Sequence, residues 1–136
     1  IFGTKPLIGV HHPCHYLKMN PHGEYPGAFE TDENSTAAVD EEHDLSVYFQ
    51  GCLWGGRVPE VIDMMKELDR RTQDDLKRDV IAKWHDESQM NKFFSERRTD
   101  VKVLHPAFAF PEDFESQCQF EPKIVHVSKD NSKYHQ

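Results

Sequence analysis

Trp84-His85-Asp86-Glu87-Ser88-Gln89-Met90-Asn91-Lys92-Phe93-Phe94 is the stretch around which the rest of this chain is arranged. Its second half sets Met90, Phe93 and Phe94 at three- and four-residue spacing, the buried stripe of a helix, which predicts a helix over Asp86 to Arg97. Its first half puts an indole, an imidazole and two carboxylates side by side. Two readings fit that half. In the first, Asp86 caps the helix, Gln89 completes a loose capping box, Glu87 favours the helix dipole and Trp84 belongs to the core. In the second, the cluster is a carbohydrate site. The indole face packs on the apolar face of a sugar, Asp and His bond its hydroxyls, and a second carboxylate stabilises positive charge at an anomeric carbon.

Moving upstream, Leu45 to Leu53 is rich in Val, Tyr, Phe and Leu and predicts a strand that runs into the glycine pair Gly55–Gly56. Pro59 suits the first turn of a helix. Val61, Met65 and Leu68 follow at helical spacing, as do Leu76, Val80 and Trp84. The very polar stretch Asp69–Asp75 between them predicts two helices or one broken helix. Lys5 to Tyr16 reads as a short extended segment entering a turn broken by Pro13. Residues 17–46 are poor in aliphatics and read as a long surface loop. Downstream, Val101–Leu104 and Lys123–Val127 are short strand candidates.

Composition limits the function classes. Among 136 residues, 16 are Lys or Arg and 24 are Asp or Glu, for a net charge of −8. Eight of the acidic residues lie between Glu24 and Asp44, where no Lys or Arg occurs, so the remainder is neutral at 16 against 16. A neutral remainder gives no electrostatic reason to expect nucleic acid as a partner. The acidic run Asp32–Glu42 lacks the glycine and alternating ligands of a calcium loop. Cys14, Cys52 and Cys118 are odd in number and lack CxxC spacing, which indicates neither a disulfide framework nor a zinc site. His11, His12, Cys14 and His15 invite a metal reading, but alternation in an extended segment puts His12 on the opposite face from His11 and His15. A hydrophobic share of 37% is low for a self-contained globule and suits part of something larger.

Four ordered blocks carry a family resemblance. WHDESQMNKFF (84–94) is close to W-H-D-E-S-x-L-N-K-Y, PLIGVHHPCHY (6–16) to P-L-x-G-x-x-H-P-x-x-Y, YFQGCLWGGRVPEV (48–61) to Y-Y-x-x-x-x-F-G-G-x-x-x-E-V, and KVLHPAFAF (102–110) to K-x-L-S-P-E-Y. In order and spacing they resemble glycosyltransferase family 6, the group of the histo-blood group A and B transferases and the α-1,3-galactosyltransferases. The resemblance implies an α/β fold, the C-terminal part of a GT-A type domain with a mixed sheet flanked by helices. Residues 1–136 would be its acceptor-binding and catalytic half, with the nucleotide-binding half absent.

The implied activity is retaining transfer of galactose or N-acetylgalactosamine from a UDP-sugar, in α-1,3 linkage, to a galactose-terminated glycan, glycolipid or glycoprotein. Carried over by position, Glu87 resembles the catalytic carboxylate and Asp86 the residue that bonds donor-sugar hydroxyls. Gln50, Gly51 and Cys52 match the tripeptide that sorts donors, and Cys52, larger than alanine, favours galactose. His12 and Trp84 match acceptor-galactose contacts. Lys129 matches a basic residue that closes over the diphosphate. The chain has no Asp-x-Asp, so a manganese ion would be held through a motif outside it and none of these residues is a metal ligand. Ala107 and Pro111 stand where the family has acidic residues, His135 where it usually has Arg, and 28–39 lacks its Tyr-Glu-Arg-Arg pattern. A non-catalytic carbohydrate-binding homologue is the competing implication. Animal members of the family imply a Golgi membrane protein with a luminal catalytic domain; bacterial ones imply the cytoplasm.

Overall fold

The computed structural model describes residues 3–18 and 28–128. Lys129 and His135, both singled out above, lie outside them. The order of elements is β1 (Leu7–His11), α1 (Pro13–Leu17), β2 (Phe49–Gly56), α2 (Val58–Leu76), α3 (His85–Glu96), β3 (Val101–Leu104), β4 (Phe110–Pro111) and β5 (Val125–His126). β1 is the central strand of a mixed sheet, antiparallel to β2 and parallel to β3. Short β4 and β5 pair separately. The result is a mixed α/β arrangement in which both faces of β1 are covered.

Alternation along β1 divides the core. Leu7 faces the helices and packs with Phe49, Met64, Met90, Phe93, Phe94 and Val101. Ile8 and Val10 face the other way, against Leu104 and Ala109. Gly9 lies on the helix side, where a Cβ would come within 2.5 Å of the Phe49 ring and 2.9 Å of the Phe94 ring. Only glycine leaves those two rings their edge-on packing, with centroids 4.8 Å apart.

Several sequence expectations change at this level. The strand expected over 45–53 begins instead at Phe49 and continues through Gly55 and Gly56, which pair with Ile8 and Leu7. β1 needs those partners, and glycine's lack of a side chain does not prevent ladder pairing. The expected break at 69–75 is absent: α2 is continuous to Leu76. Its polar residues are helix-compatible ion pairs, Glu67 with Arg70 and Arg71 at 2.8 and 2.7 Å, and Arg70 with Asp74 at 2.8 Å. Arg71 also reaches Glu96 of α3 at 2.7 Å, so the charged stretch joins two helices. On α2 the buried methionine is Met64, while Met65 is 55% exposed. The helix presents 61, 64 and 68 to the core rather than 61, 65 and 68.

Val80 and Trp84 lie beyond α2, which ends in a Schellman closure. The amides of Asp79 and Val80 donate to the carbonyls of Leu76 and Asp75 at 3.1 and 3.0 Å, and Asp79 takes the left-handed conformation, φ 55°. Pro13 starts α1 instead of breaking a turn. The strand expected over 123–127 shortens to Val125–His126.

The segment 28–46 has no regular element, as a loop should, yet it is not a solvated one. Glu30, Ser35, Ala37 and Val39 are buried. Asp75, near the end of α2, anchors it: its carboxylate accepts from Ser35 Oγ at 2.8 Å, the Thr36 amide at 2.7 Å and Gln89 Nε2 at 3.0 Å. Glu30 accepts from the Lys83 amide at 2.6 Å, fastening the loop just before Trp84. Among the described residues no helix is long and apolar enough to cross a membrane.

Candidate functional site

Trp84, not Asp86, is the N-cap of α3; Asp86 and Glu87 sit in the first turn. Ser88 Oγ reaches back to accept from the Trp84 amide at 2.9 Å, and no side chain caps the free N–H groups of the first turn. Gln89 turns away to Asp75 and Thr36, so no capping box forms. His85 enters the helix at φ 52°. That conformation is costly for a residue with a Cβ, and it is the kind of strain that collects at functional sites.

Glu87 points at β2. Its Oε2 accepts from the Gly51 amide at 2.6 Å and its Oε1 from the Tyr48 hydroxyl at 2.9 Å. A Cβ on Gly51 would stand 3.2 Å from Oε2 and 3.3 Å from the Glu87 Cβ, so glycine lets strand and carboxylate approach this closely. Burial raises the Glu87 pKa above the ordinary carboxylate value, against the lowering effect of the two donors, and nearby Asp86 pushes the same way as burial. Tyr48 itself is held firmly protonated by its burial and by Glu87. It therefore acts on the carboxylate only as a hydrogen-bond donor.

The distance between α3 and β2 is set by Asn91. Its Oδ1 accepts from the Phe49 amide at 2.7 Å, and its Nδ2 donates to the Phe49 and Glu87 carbonyls at 2.8 and 2.9 Å. A buried side-chain amide thus serves as one more strand partner for β2, a single turn beyond Glu87. Sequence reasoning passed over Asn91 and Tyr48. The available signal was a lone amide among Met90, Phe93 and Phe94 on the buried side of the helix, four residues after the carboxylate.

The remaining candidates divide by strand alternation. Gly51 faces Glu87, whereas Gln50 and Cys52 share the other face. Gln50 is buried, donates to the Ala109 carbonyl at 2.7 Å and accepts from Cys52 Sγ at 2.9 Å; Cys52 is exposed. His12 caps α1 through Nδ1, which accepts from the Cys14 amide at 3.2 Å, and its own amide donates to the Tyr48 carbonyl at 2.7 Å. Its ring meets the Tyr48 ring edge-on at 5.8 Å. Burial, with help from His15, His11 and His126, lowers His12 to about 4, so it is a neutral imidazole near pH 7. His11 is lowered to about 4 in the same way and bonds His15 at 2.7 Å. The two do meet, but not by strand alternation: β1 ends at His11 and α1 brings His15 back to it. Trp84 is half-buried, with an indole N–H that has no partner among the described residues. Asp86 is exposed on the neighbouring face of the turn. Among the described residues no group of three or more His, Cys, Asp or Glu is placed to hold a metal ion.

The arrangement can place an oriented, partly desolvated carboxylate beside a bound ring, with neutral donors and aromatic edges around it. A sequence model of glycosyltransferase family 6 matches residues 4–135. The O-antigen biosynthesis glycosyltransferase WbnI of Escherichia coli is 27% identical over 134 residues, covering 98% of this chain and 53% of the relative. The mouse globoside alpha-1,3-N-acetylgalactosaminyltransferase 1 is 30% identical over 107 residues, 78% of this chain and 29% of the relative. The rat histo-blood group ABO system transferase 2 is 28% identical over 122 residues, 90% of this chain and 35% of the relative. The chain spans about half the length of the bacterial relative and about a third of the mammalian ones.

Proposed function

Because the chain belongs to glycosyltransferase family 6, we propose that it is the acceptor-binding and catalytic half of a retaining transferase of GT-A architecture. It would move galactose or N-acetylgalactosamine from a UDP-sugar to the 3-hydroxyl of a galactoside in α linkage. The observation that carries this reading is Glu87, held at both oxygens by Gly51 and Tyr48 at the start of α3.

Transfer breaks the bond from C1 of the sugar to the diphosphate oxygen and forms one from C1 to the acceptor oxygen. The acceptor's proton leaves with the diphosphate. Positive charge grows at C1 in between, and Glu87 opposes it, either as a nucleophile that is later displaced or as a fixed counter-charge. Both roles need an ionised carboxylate close to C1 that does not rotate away, and the two donors supply that restraint. Asp86, at the exposed edge of the same turn, takes donor-sugar hydroxyls. Trp84 and neutral His12 receive the acceptor ring. Gln50, Gly51 and Cys52 shape the donor side, where the bulk of Cys52 favours galactose by about 1–3 kcal/mol at most. Lys129 meets the leaving diphosphate.

A manganese ion, where the enzyme takes one, would be held through a motif outside this chain, which has no Asp-x-Asp. With the animal relatives as guide, the protein would work in the Golgi lumen.

The test offers UDP-galactose and UDP-N-acetylgalactosamine with lactose or fucosylated lactose, with and without manganese. It is run on the 136-residue chain and on the longest natural protein that contains it, each beside Glu87→Gln. The expected result is transfer by the longer protein alone, lowered by orders of magnitude in the variant. Donor binding with neither transfer nor hydrolysis would overturn the reading in favour of a carbohydrate-recognition protein.

A further inference from the structure

The segment 28–46 carries a motif that the proposed chemistry does not use. Asn34-Ser35-Thr36 is an Asn-x-Thr triplet, the acceptor pattern for N-linked glycans in secreted proteins. The other asparagines, Asn20, Asn91 and Asn131, have no Ser or Thr two residues on. So short a pattern recurs by chance, and the fold around it decides what it can be.

Asn34 stands where a glycan can be carried. It is exposed, in a turn closed by the Ser35 amide, which donates to the Asp32 carbonyl at 2.9 Å. Asp32 Oδ1 accepts from the Asn34 amide at 3.0 Å and from Asn34 Nδ2 at 2.8 Å. The side-chain amide has two N–H groups, and Asp32 takes one of them. Replacing the other by C1 of a sugar breaks no hydrogen bond within the protein, and the sugar starts in solvent.

Thr36 is placed differently. The enzyme that attaches such glycans reads the hydroxyl of the third residue and needs the triplet free to bend. Thr36 Oγ1 donates to the Arg71 carbonyl at 3.2 Å and accepts from Gln89 Nε2 at 3.0 Å, while the Thr36 amide donates to Asp75 at 2.7 Å. Ser35 is buried and gives its hydroxyl to the same carboxylate at 2.8 Å. In the folded chain the triplet is thus committed to α2 and α3. Both helices come later in the chain, and Asp75 lies 39 residues beyond Thr36. During synthesis the triplet enters a lumen before the helices that will hold it.

We propose that Asn34 is an N-glycosylation site, modified while 28–46 is still free and before it docks on α2 and α3. Asn34 Nδ2 bonds to C1 of the first N-acetylglucosamine of a lipid-pyrophosphate-linked oligosaccharide. The bond from C1 to the pyrophosphate oxygen breaks, and the Nδ2 proton leaves with the pyrophosphate. This rests on the luminal placement proposed above, but not on transfer activity.

The test expresses two proteins in animal cells: the longest natural protein that contains the chain, and the 136-residue chain behind a cleavable secretion signal. Peptide mass spectrometry after N-glycosidase treatment in heavy-oxygen water, which converts a glycosylated Asn to labelled Asp, reads position 34. The expected result is a glycan on Asn34 in both proteins, one glycan fewer in Asn34→Gln and Thr36→Ala, and a glycan retained in Thr36→Ser. An Asn34 unmodified in both proteins overturns the proposal, and misfolding does not disguise that outcome because attachment precedes folding. A glycan on the secreted chain but not on the natural protein would sink the luminal placement and leave the site standing. Timing is read on unglycosylated protein made in bacteria, offered folded, beside a peptide of residues 30–40, to solubilised oligosaccharyltransferase and its lipid-linked donor. The peptide should be modified many-fold faster than the folded protein; equal rates overturn the order of events.

Discussion

Replacing Asn91 by leucine isolates what joins α3 to β2. Leucine has the same branched shape but is bulkier, so at this buried position a modest overpacking cost adds to the loss of the amide. In the native chain Asn91 bonds both the amide and the carbonyl of Phe49, a residue only 1% exposed. The variant leaves both backbone groups buried and unpaired, at roughly 2 kcal/mol each, for a total of about 4 kcal/mol. The bond to the Glu87 carbonyl is lost as well, but that carbonyl keeps its helical partner, the Asn91 backbone amide four residues on. Against a domain stability of about 5–15 kcal/mol this is a large fraction. It corresponds to a fall in Tm of about 15 °C. Urea denaturation of both proteins, followed by Trp fluorescence and far-UV circular dichroism, reads the difference at constant slope. Asn91→Asp is the informative companion: it keeps an acceptor for the Phe49 amide, loses both donors and sets a carboxylate against two carbonyls, so it should be at least as damaging as leucine. A loss below about 1 kcal/mol for Asn91→Leu would refute the argument, because an ordinary surface substitution does as much.

Three further outcomes are expected. Gly51→Ala places a Cβ 3.2 Å from Glu87 Oε2 and 3.3 Å from its Cβ, so the carboxylate must give way by a few tenths of an ångström and its 2.6 Å bond lengthens; a stability loss of about 1 kcal/mol and a Glu87 side chain with altered NMR shifts are expected, and an unperturbed Glu87 would contradict the close-approach argument. His12 is ordinarily 6.5 and is lowered to about 4 in the fold, so above pH 6.5 it is neutral in both states; between 6.5 and 4 only the unfolded chain binds the proton, and stability falls through that window by about 3 kcal/mol in all. His12→Asn still caps α1 and should remove its share of that fall in urea melts at stepped pH, leaving the share that His11 contributes over the same window. Asp79 sits at φ 55° and puts a negative charge at the C-terminus of α2, so Asp79→Gly should raise stability by about 0.5–1 kcal/mol, measured as a higher urea midpoint.

What the amino-acid sequence determined by itself was local and chemical. The apolar spacing of Met90, Phe93 and Phe94 produced α3 and its buried face, and β3 fell on Val101–Leu104, because each signal lies within one element. The family was readable because four blocks keep their order and composition regardless of how they fold together. The character of the loop over 28–46 was half legible: irregularity shows in its composition, burial does not. The tertiary structure decided the rest. Asp69–Asp75 stays helical because its charges find partners on the same helix and, through Arg71, on α3. Asp86 and Glu87 are adjacent in the chain, yet only Glu87 faces β2, and nothing in their order reveals which. Tyr48 and Asn91 become part of the site because a strand and a helix some 40 residues apart in the chain, as the Phe49–Asn91 bond spans 42, are pressed into hydrogen-bonding distance. Such pairings depend on register and packing, which no local pattern encodes.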